Sequence, residues 1–85
     1  MNEFKKFVDT LNMEEAIKMK AALEATNDWQ EMPETELVAK MISHIFQDYT
    51  VRAENAKNII EAHKYETRLS ELLKKWKELG FIKEK

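Results

Sequence analysis

Two histidines are the first residues to weigh for chemistry. His44 and Asp48 stand four apart, so a helix would present both on one face. That pair is a metal-ligand or acid–base arrangement. His63 has Glu66 three residues on. A catalytic zinc centre needs three protein ligands, and neither cluster supplies three. Carboxylates come in pairs at Glu14-Glu15, Glu34-Glu36 and Glu3 with Asp9. Acid catalysis needs one carboxyl in an apolar setting, whereas these fall at helix starts or on polar faces, where the helix dipole accounts for them. Ser43 and Ser70 have no visible activating partner, and the chain has no cysteine. No phosphate-binding glycine loop, nucleophile elbow, zinc-protease or EF-hand pattern occurs. The expectation is a protein without catalytic residues, cofactor or metal.

The other chemistry on offer is charge beside aromatic and apolar groups. Lys64, Arg68, Lys74, Lys75 and Lys77 surround Trp76, with Lys83 and Lys85 behind. Residues 1–56 hold six Lys/Arg against eleven Asp/Glu, and residues 57–85 hold eight against five. A basic end on an acidic body suits an acidic protein, nucleic acid or a second copy of the chain. Trp29 and Met32 sit in a connection, where they form either an adaptable binding patch or a cap on the core.

The segment Arg68–Ile82 resembles the recognition helix and strand entry of winged-helix regulators, with Asn58–His63 as the preceding helix of a helix-turn-helix. The resemblance covers about the last 28 residues and implies a DNA-binding regulator. It departs from that pattern in two places: His63–Glu66, the expected turn, has no glycine, and no wing hairpin follows. The same segment also reads as an ordinary solvated helix, because Glu71 with Lys75 and Lys74 with Glu78 are opposite charges four apart.

The elements that must position these residues are helices. In 85 residues there are one glycine, Gly80, and one proline, Pro33, too few turn formers for a sheet protein. Apolar residues make up 44% and charged residues 35%, and the apolar ones recur at helical spacing. One domain of residues 1–85 is expected, without a membrane span or a secretory leader. The absence of cysteine fits a reducing cytoplasm.

A first helix carries Phe4, Phe7, Val8 and Leu11 on one side. Asn12-Met13-Glu14-Glu15 is a capping-box start for a second helix over 13–25, whose inward set reads as Met13, Ala16, Ile17, Lys20, Ala21, Leu23 and Glu24. Pro33 suits the first turn of the next helix, and Leu37, Val38, Met41, Ile42, Ile45, Phe46 and Tyr49 form its broad apolar stripe. Ala53, Ala56, Ile59, Ile60 and His63 continue at helical spacing, as do Leu69, Leu72, Leu73, Trp76 and Leu79. One helix over 34–79 would run about 69 Å, far too long for a compact chain of this size. Either it breaks or the protein is an elongated oligomer with one long C-terminal helix. The expected breaks are near Asp48–Val51 and, as a bend or turn, near Lys64–Thr67. Gly80 should end the last helix, with Phe81 packed on Trp76.

These expectations combine into an all-α bundle of four to five helices, with a core of the Leu37–Tyr49 stripe, Ile59, Ile60, Leu69, Leu72, Leu73 and Trp76. Its expected role is a compact regulator, inhibitor or adaptor of the sort encoded by bacteria and phages. It would bind a larger protein, and self-association is a second expectation. Trp29, Met32, Lys64, Arg68, Lys74, Lys75 and Lys77 are the candidate contact residues. The alternative is a DNA-binding regulator reading a groove with the basic last helix.

Overall fold

A computed structural model describes residues 2–26 and 31–82, and Trp29, Lys83 and Lys85 fall outside these. The described residues form four helices and no strand: α1 (Asn2–Val8), α2 (Met13–Glu24), α3 (Glu34–Glu54) and α4 (Ile59–Glu78). The all-helical class and the bundle are as expected. The radius of gyration is 13.4 Å, so the helices fold back on one another, and α3 packs most extensively against the other three.

The core is Phe7, Met19, Leu23, Leu37, Val38, Met41, Ile45, Leu72 and Trp76. The α3 stripe therefore does wall the interior, with Ile42 and Tyr49 partly buried against it and Phe46 exposed. From α1, Phe7 is fully enclosed. Its ring stacks on Trp76 at 5.4 Å between centroids and meets Phe81 edge-on at 5.9 Å. Phe81 thus reaches the Trp76 cluster through Phe7, from the other end of the chain.

Helix ends follow local chemistry. At α2, Asn12 Oδ1 accepts from the Glu15 N–H and Glu15 Oε1 accepts from the Asn12 N–H, both at 2.9 Å, completing the capping box. Pro33 stands just before α3, and the Glu34 carboxylate accepts the Phe4 N–H at 2.6 Å. Gly80 takes φ +85° after α4. Its N–H bonds to the Lys77 carbonyl at 3.1 Å and the Phe81 N–H to the Trp76 carbonyl at 2.8 Å, the paired bonds of a Schellman end.

The break in the second half differs from expectation. The chain breaks once, at residues 55–58, and α4 runs straight through Lys64–Thr67. Near Asp48 the polar side chains find partners without leaving the helix: Asp48 pairs with Lys18 and Arg52, and Thr50 bonds back to the Phe46 carbonyl. At the true break, Asn55 Nδ2 donates to the Val51 carbonyl at 2.9 Å. Asn58 then caps α4 by accepting the Glu61 N–H at 2.8 Å. Asn58-x-x-Glu61 repeats the pattern of Asn12-x-x-Glu15, and it is the start signal that marks the turn.

Two expected core segments prove to be surface. Ile59 and Ile60 are 86% and 83% exposed, because the first turn of α4 projects beyond the end of the core. On α2, Met13 and Ile17 are 80% and 62% exposed, and Lys20, Ala21 and Glu24 are exposed with them. The inward face is the expected Leu23 together with Glu15 and Met19. These are four apart, and α2 turns this face inward because Glu15 has partners waiting there.

Candidate functional site

Glu15 is only 3% exposed and sits where α2, α3 and α4 meet. Arg68 of α4 grips it with two bonds, Nε to Oε2 at 2.8 Å and Nη2 to Oε1 at 2.7 Å. The Tyr49 hydroxyl of α3 donates to Oε2, and the Asn12 N–H donates to Oε1. Each carboxylate oxygen therefore accepts two bonds, which uses the full capacity of an ionised carboxylate. The forked Arg–carboxylate contact is the strong form of an ion pair.

The electrostatics follow from this geometry. Burial by itself would raise the Glu15 pKa, but hydrogen bonds from Arg68, Tyr49 and Asn12 outweigh it and hold the carboxyl below its usual value. Tyr49 is driven above the ordinary phenol range by burial and by its bond to the Glu15 carboxylate. Arg68 is raised by its bond to Glu15. A general acid needs its pKa raised toward neutrality; Glu15 is held the other way, and no lone pair is left to take a proton from a substrate. The cluster joins three helices.

A second polar chain lies beside it. Trp76 Nε1 donates to Thr10 Oγ1 at 2.9 Å, and Thr10 Oγ1 donates to the Phe7 carbonyl at 2.6 Å. This satisfies the indole N–H of the largest buried residue. Outside, Glu14, Lys18, Asp48 and Arg52 form an ionic brace between α2 and α3, with contacts of 3.1–3.6 Å. Lys18 Nζ is enclosed without a hydrogen bond, and Glu14 and Asp48, each at 3.6 Å, balance its charge. Arg52 also lies over the Tyr65 ring, 5.8 Å from its centroid.

The candidate contact residues divide on this framework. Arg68 points inward and its charge is matched by Glu15. Met32 is partly buried against the core. Trp29 lies outside the described residues. Lys64, Lys74, Lys75 and Lys77 are exposed on α4, but at about 100° per residue they spread over about 160° of its outer surface, with Glu71 and Glu78 among them. The helix-turn-helix reading of this segment requires a turn at His63–Glu66, and α4 is continuous there.

The histidine pairs do not gather further ligands. Among the described residues, no three His, Asp or Glu side chains are grouped to hold a metal ion. His44 and Asp48 border a crevice of about 10 Å³, room for a single water, and Asp48 is engaged by Lys18 and Arg52. None of the described helices is long and apolar enough to cross a membrane.

What the surface does offer is apolar groups in water. Met13 and Ile17 lie on the outer face of α2, Ile59 and Ile60 at the start of α4, and Phe46, Val51 and Leu79 elsewhere. Between the starts of α2 and α4 runs an open groove of about 630 Å³. Residues of α3 and of the starts of α2 and α4 line it, among them Glu14, Tyr49, Arg52, Ile60, Lys64 and Arg68. Sequence reasoning missed this face because it placed Ile59, Ile60, Met13 and Ile17 in the core. Compared with known protein families, curated proteins and solved structures, the chain matches none.

Proposed function

We propose that this protein is a non-catalytic protein-binding module, a regulator, inhibitor or adaptor working in the cytoplasm by covering a surface on a larger protein. One observation carries the reading: four large apolar side chains, Met13, Ile17, Ile59 and Ile60, stand in water at or beside one end of the bundle. At that same end a glutamate and an arginine occupy the interior. Water-exposed aliphatic pairs contribute nothing to the fold, and contiguous ones mark contact surfaces. The saturated Glu15 cluster supports the reading from the other side, since a rigid, satisfied interior leaves binding to the outside.

The test is a pull-down from native-host extract with wild type and the Ile59→Ser/Ile60→Ser variant, whose fold is checked by circular dichroism. A protein retained in stoichiometric amount by wild type and lost with the folded variant supports the reading. Burying two isoleucines contributes roughly 3–6 kcal/mol, so partner affinity should fall more than about hundredfold. Equal capture by both proteins, or capture by neither, would count against it. Salt-sensitive binding of duplex DNA, abolished by Lys74→Glu/Lys75→Glu, would favour the DNA-binding alternative instead.

A further inference from the structure

We draw no further inference here: the strongest candidate, the exposed aliphatic patch of Ile59 and Ile60 on the first turn of α4, belongs to the binding surface already proposed, and nothing in the structure shows what covers it.

Discussion

Two helices of this protein begin with the same four-residue device and put it to different ends. Asn12-x-x-Glu15 starts α2 and Asn58-x-x-Glu61 starts α4, and in both the asparagine side chain accepts the N–H of the glutamate three residues on. At α4 the glutamate stays local, its oxygens near the Lys57 N–H and the Tyr65 hydroxyl. At α2 the glutamate is swallowed by the bundle and becomes the point where Arg68 and Tyr49 converge from two other helices. Capping is a property of four consecutive residues. Burial of the cap depends on what the rest of the chain brings to it, and only Glu15 is met by a matching cation.

The sharpest way to break this comparison is to remove each glutamate. Glu15→Ala leaves the guanidinium of Arg68 inside without its partner and should cost about 3 kcal/mol in urea denaturation. Glu61→Ala should cost about 0.5 kcal/mol, as for a surface cap. Equal losses would mean that the buried cluster is no more than a cap. Adding Arg68→Met to Glu15→Ala should recover part of the loss, since the stranded charge is gone and an apolar chain of similar length replaces it.

Next in size is the tyrosine pair. Tyr49→Phe removes a donor from a buried carboxylate and should cost about 1.5–2 kcal/mol. Tyr65→Phe, whose hydroxyl makes only a long contact to Glu61, should fall within about 0.5 kcal/mol of wild type. The two rings lie 6.2 Å apart, so a difference between the variants isolates the hydroxyl from ring packing.

The pH dependence sharpens the same contrast. The Glu15 pKa is lowered in the folded protein, so its contribution is present above the ordinary carboxylate value of 4.5 and is lost as pH falls through the lowered native value. Tyr49 is raised, so its contribution is present below about 10 and declines as pH rises above that. Glu15→Gln should therefore flatten the acid limb of a melting-temperature profile more than Glu61→Gln does. An acid limb that Glu15→Gln leaves unchanged would contradict the four-bond arrangement.

The smallest expected difference between the two helices lies in the asparagine caps themselves. Asn58→Ala should cost about 1 kcal/mol and loosen the first turn of α4, read as faster amide exchange at Glu61. Asn12→Ala loses a similar amount from its side chain, but its backbone N–H still donates to Glu15. The cluster should therefore survive, with Arg68 still protected from solvent.

Much of the architecture was legible from residue order, and the reason is that it is local. The Asn12 capping box, the α3 stripe from Leu37 to Tyr49 and the Schellman end at Gly80 all depend on residues within a turn or two of one another. The single break of the second half was equally local, carried by Asn55 and by Asn58 with Glu61, but the continuing apolar spacing of Ile59 and Ile60 outweighed it. A helical period says that a stripe exists. It does not say that a neighbour covers that stripe.

Which stripe is covered was decided in three dimensions. On α2 the sequence offers two faces, Met13 with Ile17 and Glu15 with Met19 and Leu23, and by hydrophobicity alone the first looks like the interior. A buried carboxylate is unfavourable until its bonds are made, and its donors come from residues 34 and 53 positions away. No local pattern states that they will meet. The amino-acid order by itself determined the helical class, most of the caps and the central wall of the core. Only the packing of α2 against α3 and α4 decided that Glu15 goes in, that Arg68 follows it, and that Met13, Ile17, Ile59 and Ile60 are left exposed.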